Sequence, residues 1–284
     1  MRQHPENSKT TSFPMNSIQT TPVAACQPSD EQAKNTLSGV WLVADLDTVE
    51  ENLALDEALL EEAHEGLATR PVIRTWMARR PVVVVGSSSH IDQEVDRTAC
   101  LALGVGIVRR PSGGATVVVG PGCLMWSVVC PYPEGVPSIE RIHASMLEPL
   151  CHTLSLALIA HGGEPIERRG SSDLATSSER GILKVSGNAL RVRRHGVLYH
   201  GTLLDDFDIS VVSRVLRHPP REPDYRGQRP HGQFLTTLKL GRESLEDAVR
   251  DAFQATEVRH EWPRDRVERL LRERYIATDW TERL

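Results

Sequence analysis

Residues 109–122 read RRPSGGATVVVGPG. Two arginines lead into a proline, a serine and a glycine pair, then a valine run and Gly120-Pro121-Gly122. Val117, Val118 and Val119 predict a strand. Ser112, Gly113 and Gly114 offer backbone N–H groups with little side chain over them, and Arg109 and Arg110 add fixed charge in a planar fork suited to carboxylate or phosphate. The same residues also read as a tight hairpin turn with solvated arginines. The stretch is not a P-loop, because G-x-x-x-x-G-K-[ST] is absent. It is not a dinucleotide fingerprint, because no helix follows the glycines.

The surrounding chain predicts strands joined by short turns, with long helices between them. "GVWLVADL" (39–46) starts with a short strand. In "TVEENLALDEALLEEAHEG" (48–66), Thr48 and Glu51 make a capping-box pattern and Gly66 ends the helix. "PVIRTWMARRPVVVVGSSS" (71–89) reads as two strands around Arg79-Arg80-Pro81. "HIDQEVDRTACLALG" (90–104) reads as one helix closed by Gly104, and further strands pass through Ile107-Val108 and "CLMWSVVCP" (123–131). The longest helical pattern, 138–163, carries a stripe of Ile139, Ile142, Met146, Leu150, Leu154 and Leu158, with Pro149 inside it. "ILKVSGNALRVRRHGVLYHGTLL" (182–204) reads as a hairpin about Arg194-His195-Gly196. Helices near 208–217, 244–256 and 264–275 finish the chain. Strands do not alternate regularly with helices, so the expected class is α+β, a mixed, largely antiparallel sheet flanked by helices.

The 284 residues carry a formal net charge of -5, which argues against broad nucleic-acid or anionic-membrane binding. No stretch reaches the roughly 18 consecutive apolar residues of a membrane span. Residues 1–38 are rich in Ser, Thr, Asn, Gln and Pro and read as a disordered leader, leaving 39–284 as one domain. Five cysteines without a C-x-x-C pair disfavour both a disulfide framework and a zinc site, and a cytoplasmic setting is the default expectation.

Two more segments combine small residues with a titratable group. Lys184, beside Ser186-Gly187-Asn188-Ala189, is either an exposed strand lysine or one aimed at a ligand. Asp173 either caps a turn or accepts from Lys184 or a substrate amine. His200, before Gly201 and Thr202, is either structural or pocket-lining. Arg226, Arg229 and His231 in "DYRGQRPHGQFLTTL" (224–238) form either a solvated basic loop or part of a nucleotide or carrier surface.

Together these segments resemble the lipoate–protein ligase / octanoyltransferase family, related to biotin–protein ligases. The carrying motifs are Arg109-Arg110-Pro111-Ser112-Gly113-Gly114-Ala115, Ser172-Asp173-Leu174, Lys184-Val185-Ser186-Gly187-Asn188-Ala189 and Tyr199-His200-Gly201-Thr202-Leu203-Leu204, with "NLALDEALLE" (52–61) similar to the family's first helix. The resemblance implies a tunnel for a medium-chain acyl group and an adenylate site. It places Arg110, Ser112, Gly113, Gly114 and Ala115 on the acid and phosphates, together with Ser186 to Ala189 and His200 to Thr202. Lys184 would stabilise both charged groups and Asp173 would position the lysine or the metal. It implies ATP, Mg2+, and lipoate or octanoate, with lipoyl carrier domains of 2-oxoacid dehydrogenase complexes or the glycine cleavage H protein as partners.

Departures from the pattern are Ala115 at the third glycine of the loop and Val119-Gly120 where a His-Asp pair commonly ends that strand. No cysteine lies between Gly162 and Lys184, where one branch of transferases carries its nucleophile. The alternatives are an octanoyl or lipoyl transferase drawing on acyl carrier protein or a lipoylated donor, and a non-catalytic lipoyl-binding module.

Overall fold

A computed structural model describes Met1 and residues 38–284. The leader expected over 1–38 lies, but for its ends, outside the described residues. β1 (Val40–Leu42) leads to α1 (Val49–His64), followed by β2 (Val72–Met77), β3 (Val82–Val85), α2 (Ile91–Glu94), α3 (Arg97–Leu103), β4 (Gly106–Arg109), β5 (Val117–Val119) and β6 (Cys123–Pro131). α4 (Ile139–Ala160) precedes β7 (Ile166–Arg169), β8 (Asp173–Ser178), β9 (Gly181–Ser186), β10 (Asn188–Arg193) and β11 (Gly196–Leu204). The remainder is α5 (Ile209–Val215), α6 (His231–Phe234), α7 (Arg242–Ala252), β12 (Glu257–Arg259), α8 (Arg264–Leu270) and α9 (Thr278–Thr281).

The main sheet has the order β10-β11-β6-β2-β1-β12. Its β10–β11, β11–β6 and β6–β2 pairs are antiparallel, whereas β1 runs parallel to both β2 and β12. Two three-stranded sheets, β4-β3-β5 and β7-β8-β9, complete the fold. The class is the expected α+β arrangement around a mixed, largely antiparallel sheet.

β6 explains the layering. All its residues from Cys123 to Cys130 are buried, so both faces of the strand are covered. Met125 and Val129 join the core that contains Leu53, Leu59 and Leu60 of α1. Leu124, Trp126 and Val128 join the core of Met146, Leu150 and Leu154 of α4 and Leu245 and Val249 of α7. α1 starts at the expected capping box, in which Thr48 Oγ1 accepts from Glu51 N and Glu51 accepts from Thr48 N. α4 runs without interruption through Pro149. Its 22 residues are long and apolar enough to cross a membrane by length and composition alone, yet its stripe from Ile142 to Leu158 is packed into the core. Ile139, expected in that stripe, is exposed at 58%.

Three expectations need correction. The helix expected over 90–104 is two helices, broken where Val95 pairs with Leu216 and Asp96 N donates to Val215 O. Asp96 then caps the second, accepting from Ala99 N, and the left-handed Gly104 closes it as expected. Tertiary pairing with the 215–217 segment overrides the local helical pattern there. The hairpin expected over 182–204 holds only for β10–β11; β9 belongs to the β7-β8-β9 sheet and the chain changes sheets at Gly187. The helix expected to 275 is α-helical only to Leu270 and widens into a π-turn over Leu271–Tyr275.

Leu154 is fully buried between α4 and the sheet. Leu154→Ala is expected to destabilise the protein by about 2–5 kcal/mol in denaturant unfolding, through lost burial and a residual cavity. A loss below about 0.5 kcal/mol would mean that α4 does not seal this face.

Candidate active site

The switch of sheets at Gly187 creates the site. β9 ends at Ser186 and β10 begins at Asn188, so the two sheets diverge around one residue. The gap is bridged by Asn188 Nδ2 donating to Ser172 O (2.7 Å) and Ser172 Oγ donating to Asn188 O (2.9 Å). A cavity of about 400 Å³ lies in this cleft. Leu53, Val84 and Met125, all nearly inaccessible to solvent, line its inner part. Asp173 and Lys184, whose side chains keep 14% and 23% exposure, line the outer part. A cavity with an apolar inner part and charged groups at its outer part suits an amphipathic ligand.

Lys184 alternates with the buried Leu183 and Val185 along β9, so its side chain leaves the core face. Its Nζ sits 2.7 Å from Asp173 Oδ1. Asp173 Oδ2 accepts from Tyr225 Oη at 2.9 Å, so both carboxylate oxygens are engaged. A β-bulge in the β8–β9 pair, between Leu174 and Ala175, re-aims the start of β8 toward the lysine. Gly187 permits the geometry: a Cβ there would stand 2.9 Å from Lys184 Nζ.

The 109–122 stretch resolves into two halves. Gly120-Pro121-Gly122 is a turn between strands, with Cys123 N donating to Gly120 O at 3.0 Å. Arg110 to Thr116 form the loop beside the cavity, and Gly114 takes the left-handed conformation with φ +88°. The loop rests on Gly86, where a Cβ would come within 2.0 Å of Gly114 O.

Arg110 corrects an expectation. Its guanidinium lines the cavity but is turned inward: Nη1 donates to Val84 O (3.1 Å), Nη2 to Gly113 O (2.6 Å) and Ala115 O (2.9 Å), and Nε to Ser112 Oγ (3.0 Å). Burial pushes its pKa down to about 10, so the group stays cationic at neutral pH. It organises the loop instead of offering a free fork. Arg109 likewise donates to Gly86 O, Ser89 O and Thr281 O. Ser112 is fully buried beneath the loop, and neither it nor Gly113 lines the cavity. Gly114, Ala115, Ser186, Gly187, Asn188, Ala189, His200, Gly201 and Thr202 all line it.

Beneath the loop runs a buried polar chain. Ser112 Oγ lies 2.5 Å from His200 Nε2, and His200 Nδ1 faces Asp56 Oδ2 across 3.5 Å. Asp56 Oδ1 accepts from Arg74 Nη1 (2.7 Å) and Ser127 Oγ (2.8 Å). Arg110 is always a donor, so Ser112 Oγ accepts from it and can hand its own hydrogen to His200 Nε2. That leaves Nδ1 of His200 to carry the hydrogen facing Asp56. Burial pushes the Asp56 carboxyl up, but Arg74 and His200 together outweigh it and hold the pKa below its ordinary value.

A strap closes the outer wall. Thr236 N donates to Lys184 O at 3.0 Å, and Arg229 Nη2 donates to Ile182 O at 2.9 Å. Arg226 is 5% exposed and lines the cavity, stacked 4.9 Å over the Phe234 ring. The 224–238 segment is therefore a docked part of the site and not a solvated loop. Tyr225, Asp56 and Arg74 were not singled out from the sequence. The signal for the last was an arginine amid the apolar run of β2; for Asp56, one carboxylate in an amphipathic helix gives none.

Comparison with known proteins agrees with this geometry. The family model of the lipoyl protein ligase A/B catalytic domain matches residues 48–256. The chain belongs to that family. A lipoate-protein ligase A candidate of Aeropyrum pernix is 34% identical over 196 residues, covering 69% of this chain and 66% of its own length. An octanoyltransferase LipM of Carboxydothermus hydrogenoformans is 28% identical, covering 81% of this chain and 93% of its own. Among solved structures, a bipartite lipoate protein ligase of Thermoplasma acidophilum, studied with its E2 lipoyl domain, matches with TM-score 0.71 at 21% identity, over 87% of this chain and 96% of that one. A lipoate-protein ligase A bound with ATP matches with TM-score 0.63 at 22% identity, over 87% and 99%. The lipoyl protein ligase A/B fold is thus shared with ligases, while the relatives bear both ligase and transferase names.

Asp56→Asn leaves Arg74 without its buried counter-charge and is expected to cost about 3–5 kcal/mol at neutral pH. The Asp56 pKa lies below its ordinary 3.8, so its stabilisation is present above that pH and is lost as pH falls through the folded-state value. Denaturant unfolding should therefore show the gap between wild type and Asp56→Asn narrowing below about pH 3.8. An equal gap at pH 3 and pH 7 would contradict a charged Asp56.

Proposed function

We propose that the protein activates lipoate or octanoate with ATP to an acyl adenylate and transfers the acyl group to a lysine of a lipoyl carrier domain. The observation that carries this reading is Lys184, held 2.7 Å from Asp173 at the outer end of a 400 Å³ cavity whose inner part is lined by Leu53, Val84 and Met125. The acyl chain lies along Leu53, Val84 and Met125, and its carboxylate reaches Lys184. A carboxylate oxygen attacks the α-phosphorus of ATP, the bond to the β-phosphate oxygen breaks and pyrophosphate leaves. Negative charge builds between two anions, and a fixed ammonium beside preorganised N–H donors lowers that barrier. The carrier's lysine amine then attacks the acyl carbon. The amide forms, the anhydride C–O bond breaks, AMP leaves and the amine sheds its proton. Asp173 keeps Lys184 oriented until the substrate carboxylate arrives.

Among the described residues no cluster of three His, Cys, Asp or Glu side chains forms a metal site, and Asp173 is already shared by Lys184 and Tyr225. These residues do not make a Mg2+ cage. The ATP-bound ligase A of the same fold supports the nucleotide, and the Thermoplasma ligase with its E2 lipoyl domain supports a lipoyl carrier as acceptor.

Transfer from octanoyl acyl carrier protein is the second reading, favoured by the LipM relatives. A thioester intermediate needs a thiolate facing the acyl group. Among the described cysteines none lines the cavity, and burial pushes the Cys123, Cys130 and Cys151 thiols up to about 12. With the described cysteines alone, a transferase would proceed by direct attack of the carrier lysine on the acyl thioester.

The test is acid-dependent ATP–pyrophosphate exchange with octanoate, lipoate and biotin. Exchange is expected with octanoate or lipoate and not with biotin, and Lys184→Ala should lower it about 100- to 1000-fold in folded protein. No exchange with any acid, in protein that acylates a lipoyl domain from octanoyl acyl carrier protein, would overturn the ligase reading in favour of the transferase.

A further inference from the structure

The strap brings a second cation to the mouth of the cavity. Arg226 is buried to 5% exposure and lines the same cavity as Lys184. Its guanidinium is fixed from three sides: Nε donates to Arg229 O (2.9 Å) and faces Glu222 Oε2 (3.3 Å), Nη2 touches His231 Nδ1 (3.5 Å), and the plane stacks on Phe234 at 4.9 Å. Nη1 donates to none of the described residues. Its neighbour Arg229 stacks on the same ring at 5.3 Å but spends its donors on Arg226 O, Ile182 O and Tyr225 O, and it does not line the cavity. One arginine builds the strap, and the other is held rigid by it with an edge left open.

We propose that Arg226 is the phosphate ligand of this site, taking the phosphodiester of a bound acyl adenylate on its open edge while Lys184 faces the acyl end. The inference rests on the adenylate reading above. Lys184 beside Asp173 and Arg226 beside Glu222 both line the cavity, together with the exposed Arg221 and with Arg110, whose donors are turned onto the loop carbonyls. A free carboxylate engages one of them. A mixed carboxylic–phosphoric anhydride presents an acyl carbonyl and a phosphate anion one bond apart, which matches two cationic groups in one cavity. A guanidinium fork suits a tetrahedral anion with several oxygens, whereas an ammonium acts as a point charge. The phosphate of a phosphopantetheine arm is separated from its thioester by the whole length of the arm, so it would not share this cavity with the acyl group.

The experiment compares two ligands by calorimetry: octanoate, and the octyl phosphodiester of AMP as a stable mimic of the adenylate. Arg226→Ala is expected to weaken the phosphodiester about 10- to 100-fold and octanoate less than about two-fold, and Arg226→Lys to restore part of the loss. Unchanged octanoate affinity shows that the variant keeps its cavity. Equal losses for both ligands in Arg226→Ala, or no loss for the phosphodiester, would overturn the role of Arg226. Wild-type protein that binds octanoate but not the phosphodiester would instead sink the adenylate reading itself, and this inference with it.

Discussion

The buried Arg74–Asp56 pair is the interaction on which the site depends. Both side chains are sealed from solvent, and Arg74 also donates to Ala44 O and Asn52 O. One guanidinium thereby ties the β1–α1 connection, α1 and β2 into a single register. Such a pair gives little net stability over apolar residues of the same volume. Its contribution is geometric: Asp56 fixes His200, His200 meets Ser112, and Ser112 meets Arg110, whose donors hold the carbonyls of the loop. The loop at the cavity is thus set by a buried polar chain that begins at Asp56 and Arg74, which do not line the cavity.

The division of labour among the cations follows from burial. Arg110 and Arg109 are buried and direct donors onto backbone carbonyls of the loop and its supports. Lys184 keeps partial exposure and a single carboxylate partner, which leaves its ammonium the accessible one that the proposed reaction uses. The strap over residues 217–238 supplies the outer wall and is hydrogen-bonded to the strand that carries the lysine. Site and strap are coupled through Asp173, which accepts from Tyr225 of the strap while pairing with Lys184 of β9.

Much of this was legible in the sequence where the signal was local. The capping box at Thr48, the strand over 123–131 and the C-cap at Gly104 are short-range patterns, and each appears where it was expected, while the motifs around Lys184 and His200 meet at one cavity. The failures are non-local. Two arginines beside a glycine pair look like an anion site, and nothing in the string says that their guanidinium groups point inward. The break at Val95 exists only because residues 215–217 pair with it. β12 is three residues long and mostly exposed, and it exists by pairing with β1. The change of sheets at Gly187 was hidden because β9 and β10 read as one continuous alternating run.

The most direct test of an adenylate at Lys184 is an oxygen-labelling experiment. Octanoate labelled with 18O in its carboxyl group is supplied with ATP and an unmodified lipoyl domain, and the products are weighed by mass spectrometry. Attack by the carboxylate on the α-phosphorus leaves one carboxyl oxygen on phosphorus when the amide forms. The account predicts one 18O in the AMP released for each acylated lysine. Acylated lipoyl domain accompanied by unlabelled AMP, or by none, would contradict it.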